Sequence, residues 1–232
     1  MTVDTVCGVL LVVVPIAFNV AFLELGRSFD YPNILRKEPE EILRRFAAGR
    51  SGLILRWQAL LVSALAMLPL STLLAVVLGA PLALTALAVV TGAAAALVQA
   101  VGLVRWPFAV PELARRYVAA EDGPAGDATR HSVEVVFAVL HRLFEVGIGE
   151  HLGYLFTGLW TLIVAWSILA SPILPAWLGI AGLPIGAALL VGTLEFVGPN
   201  ERDGWSLAGT IVPIAYVAWS LWLIALGVFL LI

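Results

Sequence analysis

Six stretches of this chain, at about 4–25, 57–79, 81–104, 152–170, 175–196 and 206–232, are apolar for most of their length. A hydrocarbon layer of roughly 30 Å is crossed by about 20 residues of α-helix. Inside lipid the backbone has no water to bond, so an open spanning segment must satisfy its own N–H and C=O groups as a helix. The runs therefore predict an all-α integral membrane helical bundle, with residues 1–232 as a single membrane domain. Composition agrees: 61% of residues are hydrophobic and 12% charged, and mean hydropathy is +1.01, whereas soluble domains carry about 25% charged residues. No basic patch points to nucleic acid; the bilayer and a hydrophobic small molecule are the expected partners.

Cys7 is the only cysteine, so no intramolecular disulfide and no cysteine metal motif can form. No basic region precedes the first apolar run, which is expected to stay as a span. Pro15, Pro69, Pro184 and Pro213 fall inside spans and predict kinks. Gly179, Gly182 and Gly186 offer one helix a small-residue face. Asn19 and Gln99 read as cross-helix hydrogen bonders. Trp57, Trp106, Trp177 and Trp205 sit at span edges, where an aromatic belt accounts for them.

Orientation follows from the loops. Residues 27–56 carry Arg27, Arg36, Lys37, Arg44, Arg45, Arg50 and Arg56, and residues 105–130 carry Arg105, Arg115, Arg116 and Arg130. The connection around Ala80 carries no basic residue. The positive-inside rule makes the two basic loops cytoplasmic and the N-terminus external, in a cell's inner (plasma) membrane. A short amphipathic helix is expected in the first loop. Pro39 suits its first position, Glu40 and Glu41 its first turn, and Arg44 and Arg45 follow. Ile42, Leu43 and Phe46 would rest on the membrane surface.

Residues 129–147 are ambiguous. At 100° per residue, His131, Glu134, Ala138, His141, Arg142 and Glu145 share one arc, opposite Val133, Val136, Phe137, Leu140, Leu143 and Phe144. The segment either spans, giving seven transmembrane helices, or lies flat on the cytoplasmic surface, giving six. The spanning reading folds residues 129–161 into a His/Glu-rich hairpin turning at Gly147-Ile148-Gly149. Seven spans put the C-terminus in the cytoplasm and six put it outside; Arg202 in the last loop favours six.

Ionisable groups within a membrane are costly and mark functional sites. The hairpin would bring Glu145, Glu150 and His151 towards Glu195, with His141 beside them, as the catalytic candidates. Tyr154, Arg142, Trp160, Trp219 and Glu134 are the binding candidates. Plainer roles exist: Glu145 pairs with Arg142 or His141 on its own helix, and Glu195 reaches headgroup water.

The run Gly149-Glu150-His151-Leu152-Gly153-Tyr154, then Trp160, Trp177-Leu178-Gly179-Ile180-Ala181-Gly182 and Glu195, together with Arg105-Trp106-Pro107-Phe108, resembles a bacterial multi-pass membrane family catalogued as domain of unknown function 4386. The resemblance covers most of the chain and implies a helical bundle without settled chemistry. Size and span count are also similar to those of membrane-bound terpene cyclases, by architecture alone.

Three functions fit. An enzyme would hold a carboxyl group in an apolar cavity for general acid/base chemistry on an isoprenoid-like substrate, as a cyclase or isomerase. A redox protein would bind haem, or a metal through His141, Glu145 and His151. A proton-coupled transporter would use the polar stripe as a relay. A structural or regulatory bundle is the fourth possibility. The sequence leaves any cofactor and the oligomeric state open.

Overall fold

The computed structural model describes residues 2–232. Its helices are α1 (Val3–Phe29), α2 (Pro39–Leu65), α3 (Met67–Val77), α4 (Leu82–Ala119), α5 (Pro124–Leu140), α6 (Gly153–Leu169), α7 (Ala176–Gly192) and α8 (Ser206–Leu231). Short 3-10 turns cover Asn33–Arg36 and Gly198–Asn200, and His141–Leu152 is a π-helix. These elements form six rods: α1, α2 running into α3, α4, α5 running through the π segment into α6, α7, and α8. Five rods are long and apolar enough to cross a membrane, and α7 is a shorter apolar helix.

The hairpin is absent. Gly147-Ile148-Gly149 lies inside the π-helix, and Pro124–Leu169 is one rod of 46 residues. At about 1.5 Å per residue it is roughly 69 Å long, some twice the hydrocarbon thickness. Its α5 half therefore reaches past the bilayer instead of forming a seventh span. The second expected loop also shrinks. α4 continues through Pro107 and Pro111 to Ala119, leaving Ala120–Gly123 as the connection.

Charge is divided sharply between the two ends. All 13 Lys and Arg residues lie on the half that carries the connections 30–38, 120–123 and 193–205. Among the acids only Asp4 lies at the opposite end. That end holds both chain termini, because α1 and α8 pack antiparallel. A Cβ on Gly8 would sit 2.8 Å from the Leu231 side chain, and one on Gly227 would sit 2.7 Å from the Gly8 carbonyl.

Two apolar clusters fill the bundle. One, at the uncharged half, includes Leu11, Leu70, Leu74, Trp160, Val164, Leu178, Leu223 and Leu226. The other, at the charged half, includes Phe29, Ile34, Ile42, Leu43, Phe46, Trp57, Trp106, Val110, Val133 and Phe137. This second cluster corrects two expectations. Ile42, Leu43 and Phe46 do not lie on a membrane surface; they are at most 2% exposed, packed beneath α4 and α5. Trp57 and Trp106 form no belt; their rings stack 4.3 Å apart, 5° from parallel, with Phe46 and Phe29 around them. The short amphipathic helix itself forms: α2 breaks at Arg50 (φ 50°, ψ −150°), and Glu40–Arg44 and Glu41–Arg45 pair within its first part.

Other expectations hold. Asn19 donates to Ser220 Oγ at 3.0 Å and Gln99 to Thr157 Oγ1 at 3.1 Å, each across a helix pair. Gly179, Gly182 and Gly186 bring α7 against α6; a Cβ on Gly182 would meet Ala165 Cβ and the Trp222 ring, both at 2.9 Å.

Six crossings, α7 included, would leave both termini on one side of the membrane. Compartment reporters fused at the N- and C-termini are expected to give the same answer. Opposite answers would restore a seventh crossing.

Candidate functional site

The π-helix explains how the ionisable residues come to face inward. At α-helical pitch, residues five apart differ by about 140° around the axis. Hydrogen bonding i→i+5 widens the turn and brings them nearer to one face. Glu145 and Glu150, five apart, are accordingly both buried. Glycine permits this geometry at the crossing with α4: a Cβ on Gly102 would lie 2.8 Å from Gly149 Cα and 2.9 Å from the Phe144 carbonyl.

Glu145 belongs to a sealed cluster. Its carboxylate pairs with the Arg105 guanidinium, and these residues are 6% and 3% exposed. Arg105 Nη1 also donates to the Gly102 carbonyl at 2.6 Å. His141 Nε2 lies 3.1 Å from the Leu35 carbonyl, which can only accept, so this nitrogen carries the proton. His141 Nδ1 then faces Arg105 Nη2 at 3.5 Å as the acceptor. The guanidinium stands 4.8 Å from the Trp106 ring centre.

Glu150 belongs to a second, open cluster. α1 ends at Asp30 in the left-handed conformation, φ 58°, and the chain turns through Asn33–Arg36. That turn delivers Arg36 to Glu150 at 3.0 Å and to Glu195 at 3.8 Å. The Arg36 guanidinium lies 4.7 Å from the Phe196 ring centre and that of Arg142 lies 5.7 Å from it. Arg142 is held by Glu201, through its carboxylate at 2.6 Å and its carbonyl. His151 Nδ1 donates to the Thr193 carbonyl at 2.7 Å. Glu195 lies in the turn beyond α7, closed by Trp205 N–H donating to the Glu195 carbonyl at 2.7 Å. Burial and then the Glu150 charge push the Glu195 carboxyl above the usual carboxylate range, against the pull of Arg36.

Arg142, Val146, Gly147, Glu150, His151, Gly192, Thr193, Phe196 and Val197 line a half-open cavity of about 180 Å³. Glu150 Oε1 takes the Arg36 bond, while Glu150 Oε2 is buried without a hydrogen-bond partner.

The structure thus brings Glu150, His151, Glu195 and Arg142 together and places Glu145 with His141 on Arg105. Tyr154 sits beneath Glu150, its ring 5.8 Å from that of Tyr216. Trp160 and Trp219 do not line this cavity; Trp160 is fully buried, and Trp219 donates to Thr161 Oγ1 at 2.9 Å. Glu134 is elsewhere, accepting from the Tyr117 hydroxyl at 2.9 Å in a cleft with His131 and Arg130. The metal set His141, Glu145 and His151 is not assembled: among the described residues no group of three His, Cys, Asp or Glu side chains has the geometry to hold an ion. Sequence reasoning missed Arg36, Arg105, Thr193 and Phe196. The signal for the two arginines was that inward carboxylates need cationic partners.

Removing one member of a buried pair strands the other's charge, at a cost of about 3–5 kcal/mol, whereas replacing both by apolar groups is near neutral. Arg105→Met and Glu145→Leu are each expected to destabilise the detergent-solubilised protein by that much, and the double variant to recover most of the loss, measured by thermal unfolding. Additive losses in the double variant would mean that the pair does not hold the crossing.

A family model described as "Domain of unknown function (DUF4386)" matches residues 6–232. No curated protein and no solved structure matches the chain.

Proposed function

The chain belongs to the DUF4386 family, and we propose that it is a membrane enzyme that transfers protons to and from an amphiphilic small molecule, with Glu150 and His151 as the acid/base pair. One observation carries this reading. A carboxyl group about nine-tenths buried keeps one oxygen unpartnered, beside a histidine of fixed tautomer, at a cavity with an opening. With Nδ1 donating to Thr193, the neutral His151 ring has its lone pair on Nε2, the form a general base requires. Arg36 positions Glu150 and joins it to Glu195, a second carboxyl group whose pKa is raised by burial and by the Glu150 charge.

Depth supports an amphiphilic substrate. Glu150 lies 19 residues from the end of α6 at Leu169, about 29 Å along the rod at 1.5 Å per residue. The cavity is then level with the headgroups of one leaflet, where a tail stays in lipid while a polar head enters. That leaflet is the cytoplasmic one in our reading, with both termini outside, because every basic residue lies on the site's half of the molecule. Isomerisation fits better than carbocation cyclisation, since Trp160 and Trp219 are committed to packing.

The test is turnover of native lipids. Purified protein reconstituted with a membrane lipid extract is expected to convert at least one component, seen as a retention-time or mass change in liquid chromatography–mass spectrometry. Glu150→Gln and His151→Gln are each expected to slow the conversion by about 10²- to 10⁴-fold while keeping the wild-type melting temperature. Conversion at wild-type rate in both folded variants would overturn the assignment, and so would the lack of any conversion by the wild type.

A further inference from the structure

Beside the cavity the cations are already paired with carboxylates while one carboxylate oxygen has no donor, and that division selects a ligand. The two arginines beside the cavity are already turned towards carboxylates, and its hydroxyl donor is occupied. Arg36 serves two carboxylates. Arg142 serves the Glu201 carboxylate and carbonyl. Thr193 Oγ1 donates to the Leu190 carbonyl at 2.7 Å, and His151 Nδ1 donates to Thr193. Two acceptors are left over: Glu150 Oε2, buried without a partner, and His151 Nε2.

Charge points the same way. Arg142 and Glu201 neutralise each other. The remaining ion group sets one cation, Arg36, against two carboxylates, Glu150 and Glu195, so one negative charge is uncompensated when both are ionised. An anionic head such as a phosphate would add a third negative charge where each cation already faces a carboxylate. A hydroxyl has one proton to donate, which leaves the second acceptor and the charge unanswered. An ammonium group has three donors and one positive charge. Its donors are numerous enough for both Glu150 Oε2 and His151 Nε2, and its charge completes the balance.

We propose that the cavity between the π segment and α7 binds the primary ammonium head of an amphiphilic amine, held between Glu150 and His151 and balancing the Arg36–Glu150–Glu195 group. The inference rests on the reading of this site as one for an amphiphile, and it names the head. Val146, Val197 and Phe196 supply the apolar wall along which the first carbons of the tail lie.

Binding is measured without turnover, so its failure is distinguishable from that of the proton-transfer reading. Full-length protein in phosphatidylcholine nanodiscs is titrated with decylamine, decanol or decyl phosphate, with melting temperature as the readout. Decylamine is expected to raise it saturably, decanol to need at least tenfold higher concentration, and decyl phosphate to have no saturable effect. Glu150→Gln is expected to weaken decylamine binding at least tenfold. His151→Gln, which leaves the ion group intact, is expected to weaken it several-fold, and it serves alone should Glu150→Gln fail to fold. Repeating the titration in nanodiscs containing phosphatidylethanolamine separates a lipid source from a free amine. Competition by that lipid assigns the site to its headgroup ammonium; undiminished decylamine binding assigns it to a free amine. Equal effects of decylamine and decanol, tighter binding of decyl phosphate, or undiminished decylamine binding in the folded variants would overturn the proposal.

Discussion

The burial of Arg105 is the constraint on which the charged half of the bundle depends. A guanidinium cannot shed its proton at any ordinary pH, so once α4 carries it away from water its compensation must come from fixed partners. Those partners come from three other places in the chain: the Gly102 carbonyl one turn back, the Glu145 carboxylate, and the His141 ring. His141 is oriented in turn by the Leu35 carbonyl. One cation thereby fixes the crossing of α4 with the π segment and ties the 3-10 turn after α1 to both. That turn also carries Arg36, so the geometry of the open cluster is set partly by the sealed one beside it.

The π-helix lets one rod do both jobs. An α-helix through residues 141–152 would turn Glu145 and Glu150 to faces about 140° apart, sending one of them towards lipid or an empty flank. The wider turn keeps both on the protein side, one against α4 and the other towards α7. Its cost is weaker backbone hydrogen bonding and the loss of close-packed pitch, which is why such segments are short and cluster at functional sites. Here Gly102 and Gly149 relieve the crowding that any Cβ would cause at the contact.

The spans, the one-sided charge and the cross-helix roles of Asn19 and Gln99 were legible because each depends on composition or on a single side chain in lipid. The hairpin was misread for a local reason. Gly147-Ile148-Gly149 looks like a turn when helices are assumed to keep α pitch, and nothing in three residues distinguishes a chain reversal from a widened helix. The 100° wheel failed in the same region. Val133 and Phe137 from the supposed apolar arc share the buried face with Glu145 from the polar one, while Val135, Val136, Val139 and Leu143 are exposed. Arg36 and Arg105 were counted as loop charges, because the positive-inside rule weighs a paired cation and a free one alike. Ile42, Leu43 and Phe46 were assigned to the membrane surface because an amphipathic face does not say what covers it; α4 and α5, extending past the bilayer, do so here. Trp57 and Trp106 went astray likewise, since their side-by-side stacking depends on that same extension.

The two clusters differ in a way that separates stability from function. Around Arg105, the main charges answer one another and the groups are closed off from solvent, as a structural pair requires. Around Glu150 the charges are unequal, two carboxylates sharing one guanidinium, and a carboxylate oxygen has no donor. Burying an unsatisfied polar group costs roughly 1–3 kcal/mol, and a chain built only for stability would remove it by one substitution or pair it. Glu150 lines the cavity, so what would complete it has a route of entry. A ligand that brings the missing donors recovers that cost on binding, and the deficiency in the empty protein becomes the source of its selectivity.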